Sequence, residues 1–277
     1  MQEEIVVKAP TTEALTPAQI TQKAEDLGVT KTEMSFGRSF ALSIMAGAFI
    51  AMGAMFFSLV VGDPALPFAI QRVLGGFLFC LGLILVVVAG AELFTGNTMI
   101  VMTAASKRIK WSAVWKNWIV VFFGNFLGAL VIVGLVFLSD MSAMNGGQVG
   151  QTMVSVAAGK MHADWLVLFA KGIMCNFLVC LGVWMAYASK TVADKILAVV
   201  FPITAFVACG FEHCVANMFF LPMGALLASC GIAPAGIDPA SVNMLGALYN
   251  WSATVPGNIV GGALMVGMMY WFIYRKK

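Results

Sequence analysis

The chain has 277 residues, of which 61% are hydrophobic and 10% charged, with 16 basic and 13 acidic side chains and a formal net charge of +3. Soluble domains carry roughly 25% charged residues, so these charges are too few to coat a globule, and a mean hydropathy of +0.92 excludes a water-soluble fold. The small net charge gives no electrostatic footprint for nucleic acid. The composition is that of an integral membrane protein.

In chain order, the start carries Glu3 and Glu4 and no basic stretch followed by an apolar one. No cleavable signal is therefore predicted, and the chain is expected to insert through its own spans. Thr16-Pro17-Ala18-Gln19 supplies an N-cap, a first-turn proline and a capping-box glutamine. The pattern predicts a short helix ending near Gly28, with Ile20, Ala24 and Leu27 on one face against the membrane or a pore mouth; the alternative is a frayed terminus.

A membrane helix needs about 20 apolar residues, and six windows supply them. They are Ser39–Gly62, Val73–Ser106 interrupted by Glu92, Asn117–Ser139, Trp165–Ser189 containing Lys171, Ile196–Leu227 interrupted by Glu212, and a last one within Gly246–Tyr274. The chain divides into a cytoplasmic segment (1–34), three spans (35–139), an extracytoplasmic loop (140–162) and three more spans with a short tail (163–277). Twelve basic residues fall on one side of the predicted spans, from Lys23, Lys31 and Arg38 to Arg275, Lys276 and Lys277, against Arg72 and Lys160 on the other. By the positive-inside rule both termini are cytoplasmic. The six cysteines lack the spacing of a disulfide framework or a paired metal site and read as small buried apolar residues.

Sliding the chain over itself reveals an internal repeat. Phe40-Ala41…Ile44-Met45…Gly53 returns as Phe169-Ala170…Ile173-Met174…Gly182, and Gly90-x-Glu92-x4-Asn97 returns as Gly210-x-Glu212-x4-Asn217. Asn117-Trp118…Gly124-Asn125…Gly128 returns as Asn250-Trp251…Gly257-Asn258…Gly261. Three spans per half predict two inverted copies, a plan that places the permeation site at their interface near mid-membrane.

Spans two and five both carry helix-breaking chemistry: Ala91-Glu92-Leu93-Phe94-Thr95-Gly96-Asn97 in one, Pro202 and Gly210 with Glu212-His213 in the other. Broken backbone at membrane depth is tolerated where it is buried or lines a water-filled cavity. Half-helices starting after the breaks would aim their N–H groups inward and favour an anion. Thr95 adds a hydroxyl. Glu92 and Glu212 would repel such an anion, and are expected to accept backbone N–H bonds that lock each break. His213 is a deep titratable group and a candidate proton carrier, whereas His162 reads as a loop residue.

Lys160 reads either as a solubility lysine or as a cation that draws anions into a vestibule. Lys171 is expected to snorkel or pair with an acid. Asn176 and Asn258 read as interhelical glue or as donors to a permeating ion. Phe79, Leu83, Leu93 and Phe206 are ordinary packing or apolar constrictions of a pore. No nucleotide-binding loop or catalytic motif is present.

Gly90-Ala91-Glu92-Leu93-Phe94-Thr95-Gly96-Asn97, Lys116-Asn117-Trp118, Phe123-Gly124-Asn125, Cys175-Asn176-Phe177-Leu178-Val179-Cys180-Leu181 and Gly210-Phe211-Glu212-His213-Cys214-Val215-Ala216-Asn217-Met218 resemble the formate/nitrite transporter family, closest to its formate channels. The resemblance covers residues 16 to 274. It implies an aquaporin-like fold of six helices, a homopentamer in a bacterial inner membrane with one pore per protomer, no cofactor or metal, and passage of small monovalent acids and protons. Formate is the first expectation, with nitrite, hydrosulfide, acetate and lactate as others. Thr95 and Leu93 would line the pore, Phe79, Leu83 and Phe206 would form constrictions, and His213 would be the central protonatable group beside Glu212. Lys160, Asn176 and Asn258 match polar vestibule and pore positions. Gly96-Asn97 stands where some formate channels have small hydroxyl residues, which keeps a nitrite or hydrosulfide channel as the alternative. A remote alternative is a membrane redox subunit using His162 and His213 as ligands.

Overall fold

In a computed structural model of the chain, the described residues are 14–275. The first thirteen residues, on which the reading of an uncleaved start rests, and Lys276 and Lys277 lie outside them. Twelve α-helices account for most of the described chain: α1 (Pro17–Glu33), α2 (Phe36–Val61), α3 (Phe68–Leu85), α4 (Phe94–Asn97), α5 (Val101–Ala105), α6 (Trp111–Leu138), α7 (Gln148–Met161), α8 (Trp165–Ala188), α9 (Val192–Ala208), α10 (Cys214–Ser229), α11 (Met244–Ile259) and α12 (Met269–Tyr274). Wider π turns extend α3 over Val86–Gly90 and join α11 to α12 over Val260–Met268.

Among the described residues, five helical stretches are long and apolar enough to cross a membrane: Phe36–Val61, Phe68–Gly90, Trp111–Leu138, Trp165–Ala188 and Met244–Tyr274. The fifth predicted window is instead two shorter helices, α9 and α10, separated by Cys209–His213. Large apolar side chains such as Phe77, Phe123, Leu135, Phe201 and Leu245 stand on the outer surface, as expected where hydrocarbon or another apolar surface takes the place of water. The chain is a multi-pass membrane protein.

Both predicted breaks are present, and each has the same cause. α3 ends in a π turn, a common marker of functional sites in helices, and Gly90 takes φ +85°; in the turn that follows α9, Gly210 takes φ +71°. Only glycine adopts that backbone without strain. Pro202, expected to help break the fifth span, lies inside α9 without ending it, and Gly96 lies within α4. The glycine with positive φ is the breaker in both halves.

Helix α1 starts as predicted: Thr16 N–H donates to Gln19 Oε1 at 2.9 Å and Gln19 N–H to Thr16 Oγ1 at 3.4 Å. It does not stop at Gly28 but runs to Glu33. Gly28 marks a close crossing, since a Cβ there would collide with Thr103. Ile20 and Ala24 are buried, and Lys23 Nζ donates to Tyr187 O at 2.7 Å. The connection 140–162 is also ordered, because it contains α7. Asn145, just before α7, donates to Gly62 O at 3.2 Å, past the far end of α2. α1, which leads directly into α2, and α7 therefore stand at opposite ends of that long helix.

Close packing repeats as well. A Cβ on Gly128 of α6 would strike Ile44 O of α2, and one on Gly261 would strike Ile173 O of α8. Of the cysteines, Cys80, Cys175, Cys180 and Cys214 are buried as expected, but Cys209 and Cys230 are exposed. Both cap helix C-termini, where the chain turns away from its apolar neighbours.

Candidate functional site

Each break is strapped by an asparagine of a neighbouring helix. Phe94 N–H, the first of α4, donates to Asn125 Oδ1 at 2.9 Å, while Asn125 Nδ2 donates to Ser43 O at 2.8 Å and Glu92 O at 2.9 Å. Cys214 N–H, the first of α10, donates to Asn258 Oδ1 at 2.8 Å, and Asn258 Nδ2 donates to Gly172 O and Glu212 O, both at 2.8 Å. One amide thus satisfies a backbone donor and an acceptor left without helical partners at the break, and ties them to a carbonyl of the neighbouring helix.

The two acids come next, and their surroundings correct the expectation of backbone donors. Glu92 Oε1 lies 3.0 Å from Lys31 Nζ, and Oε2 accepts from Asn97 Nδ2 at 2.7 Å, which also donates to Asn117 Oδ1 at 2.9 Å. Glu212 Oε1 lies 2.9 Å from Lys160 Nζ, and Oε2 accepts from Asn217 Nδ2 at 2.7 Å, which also donates to Asn250 Oδ1 at 2.8 Å. Neither carboxylate is a bare charge, because an ammonium offsets each.

Lys31 is the residue that sequence reasoning missed. It counted only as a positive charge at the membrane edge, yet it pairs a buried acid as Lys160 does. The signal was present, because Lys31 and Lys160 are separated by the same 129 residues as Phe40 and Phe169. Lys160 itself is on α7, not in an irregular loop. One difference separates the two clusters: Lys31 Nζ also donates to Asn97 Oδ1 at 2.7 Å, whereas Asn217 Oδ1 has no partner among the described residues.

Two cavities approach the breaks from opposite ends. One of about 520 Å³ on the α1 face is lined by Lys31, Leu42, Leu83, Glu92 and Leu93 among others. One of about 310 Å³ on the α7 face is lined by Phe79, Lys160, Phe206, Glu212 and His213 among others. Phe79 and Phe206 meet edge to face at 5.8 Å, and Phe206 stacks on the His213 ring at 5.8 Å. All four predicted constriction residues are buried, two at each cavity.

Thr95 and His213, one from each half, meet at the wall of the α7 cavity: His213 lines it, whereas Thr95, expected to line the pore, is fully buried behind it and lines neither cavity. Thr95 Oγ1 lies 3.0 Å from His213 Nε2. His213 Nδ1 accepts the Ala216 N–H at 3.0 Å, so the ring caps α10. A nitrogen that accepts carries no hydrogen, which puts the ring's hydrogen on Nε2, facing the threonine oxygen. The Thr95 hydroxyl hydrogen is then not needed by the histidine.

Asn176 and Asn258 do not line either cavity. Both are fully buried, and Asn176 Nδ2 donates to Asn258 O at 2.7 Å and to Thr95 O and Thr98 Oγ1 at 3.1 Å. They brace the helices behind Thr95 and the second break instead of standing at polar pore positions. Among the described residues, Lys171 pairs with no acid. The two histidines have separate surroundings, His162 being exposed with Nε2 3.2 Å from Ser241 O. Among the described residues, no three His, Cys, Asp or Glu side chains gather as a metal site.

A family model described as Formate/nitrite transporter matches residues 18–272. The chain belongs to the formate/nitrite transporter family. Membership makes it a transport protein and not an enzyme. Among relatives in this family, the formate channel FocA of Escherichia coli strain K12 is 39% identical, with 95% of each chain covered. The formate channel FocA of Haemophilus influenzae is 38% identical with the same coverage. Among solved structures, a pentameric formate channel with formate bound aligns with a TM-score of 0.78 at 37% identity, covering 87% of this chain and 98% of the other. An FNT family ion channel aligns with a TM-score of 0.80 at 27% identity, covering 92% and 98%.

Proposed function

We propose that the protein is a passive, pH-sensitive channel for formate or a similar small monovalent acid, working as a homopentamer with one path in each subunit. It makes six crossings of a bacterial inner membrane as two inverted three-helix repeats, with α1 and both termini on the cytoplasmic side. The observation that carries this reading is the Thr95–His213 pair, held at 3.0 Å by breaks in opposite halves, with His213 at the wall of the α7 cavity.

Lys160 and the half-helix N-termini attract the anion, which then meets Phe79 and Phe206 at one end or Leu83 and Leu93 at the other. A bare charge crosses apolar walls poorly, whereas the neutral acid has a far smaller desolvation cost. For transfer, the ring first takes up a proton from the cavity water at Nδ1, giving up its bond to the Ala216 N–H. The imidazolium then passes its Nε2 proton through the Thr95 hydroxyl to the anion, so the ring returns to its neutral form and the acid crosses uncharged. Formate channels among the relatives support the choice of substrate.

The test is flux of formate, nitrite, hydrosulfide, acetate and lactate into liposomes holding the pure protein, from pH 5 to 8. Formate is expected to move fastest, with uptake rising toward acid. Preference for nitrite or hydrosulfide would reassign the substrate within the same fold; no flux of any would overturn the channel reading.

A further inference from the structure

The two halves share the backbone contacts around each break, and one side chain beside them differs in charge. Leu42 and Lys171 are separated by the 129 residues that also relate Lys31 to Lys160 and Ser43 to Gly172. Their main chains do the same work: Glu92 N–H donates to Leu42 O at 3.2 Å, and Glu212 N–H to Lys171 O at 3.3 Å. Leu42 lines the cavity on the α1 face and Lys171 the one on the α7 face. The backbone register is kept while the side chain changes from an isobutyl group to an ammonium.

Three cations line the α7 cavity, and two are committed. Arg72 donates Nε to Ala208 O at 3.0 Å and Nη2 to Val207 O at 2.8 Å, which fastens its guanidinium to the last carbonyls of α9. Lys160 is paired with Glu212. Lys171 is half-buried, and among the described residues its ammonium has neither a carboxylate partner nor a hydrogen-bond acceptor. An unpaired ammonium in an apolar helix is costly unless it meets water or a counter-ion. The opposite cavity has no such need, because Arg38 and Lys195 line it in addition to the paired Lys31.

We propose that Lys171 is an anion-retaining residue of the α7 cavity: its uncommitted ammonium holds a small monovalent carboxylate at this mouth before the anion reaches Phe79 and Phe206. The proposal rests on the reading of the protein as a channel for such acids. It assigns affinity at one mouth to a residue that the repeat does not supply.

The experiment measures initial formate flux in right-side-out and inside-out membrane vesicles, varying formate on the outer side of each. One elementary charge at about 6 Å in a water-filled cavity changes the local anion concentration roughly threefold. Lys171→Leu should therefore raise the half-saturating formate concentration about threefold in one vesicle orientation, at an ionic strength of about 20 mM. The difference should shrink at about 300 mM salt, and Lys171→Arg should restore the original value. Lys171→Gln serves as a second neutral variant if the leucine variant does not assemble. Equal half-saturation for wild type and both neutral variants in both orientations, with wild type conducting, would overturn the assignment of Lys171 alone. A wild type that conducts no formate in either orientation would overturn the channel reading and this proposal together.

Discussion

His213 is held through both ring nitrogens, one by the first turn of α10 and one by Thr95. Asparagine at this position still offers an oxygen to the helix but has nothing to titrate. His213→Asn is therefore expected to leave formate flux measurable while flattening its dependence on pH between 5 and 8, read in liposomes. An unchanged pH profile would remove the histidine from the proton path. At Lys160 the charge pair adds a second consequence, because alanine removes the anion-attracting cation and strands the Glu212 carboxylate. Lys160→Ala should raise the half-saturating formate concentration and lower the melting temperature in detergent. Adding Glu212→Gln should recover the melting temperature but not the affinity, since removing the second charge cures only the stranded acid.

At the scale of elements, the breaks and α1 depend on a few contacts. Asn258 serves three backbone groups of α8, α10 and the second break. Leaving a buried polar group unpaired costs about 1–3 kcal/mol, so Asn258→Leu should destabilise by roughly 3 kcal/mol or more, read as a drop in melting temperature. Helix α1 is held at Gly28 by sterics and at Asp26 by charge. Gly28→Val would collide with Thr103 and should free α1, seen as faster tryptic cleavage at Lys23. The Arg108 hydrogen bond holds the Asp26 carboxyl below the ordinary carboxylate range. Its support is therefore present above that range and is lost only as pH falls through the lowered value. The side chain is 56% exposed, so its contribution is less than about 1 kcal/mol. Cleavage of α1, taken relative to that of an unstructured peptide at each pH because trypsin is slow in acid, should accordingly be the same at pH 5 and pH 8 in wild type and in Asp26→Asn.

For the whole molecule, the outer surface carries large apolar side chains on α3, α6, α9 and α11, more than a single subunit in water tolerates. Lipid and neighbouring subunits are the surfaces that would cover them. Native mass spectrometry in a mild detergent should give a mass five times that of one chain; a monomer would overturn the pentamer in the proposed function. The crossings were legible because hydrocarbon demands long uncharged stretches, and the breaks because glycine and acid at mid-span have few other uses. The capping box of α1 was equally plain at Thr16 and Gln19. The end of α1 was not, because Gly28 looks like a helix stop until Thr103 is seen across from it.

Partner choice explains the remaining differences. A sequence records that Lys31, Lys160, Glu92 and Glu212 exist, and even repeats them at fixed offsets, but pairing depends on which chain ends fold back over which break. Asn176 and Asn258 illustrate the same point, since an amide at membrane depth suits a pore wall or a helix brace equally well, and only the direction of its hydrogen bonds decides. The sequence by itself determined the membrane class, the repeated motifs, the two breaks and the family. Only the tertiary structure decided that Glu92 and Glu212 are each neutralised by a lysine, that Thr95 and His213 touch, and that Lys171 has no partner among the described residues. These are contacts between residues far apart in the chain, set by packing in three dimensions and not by local pattern.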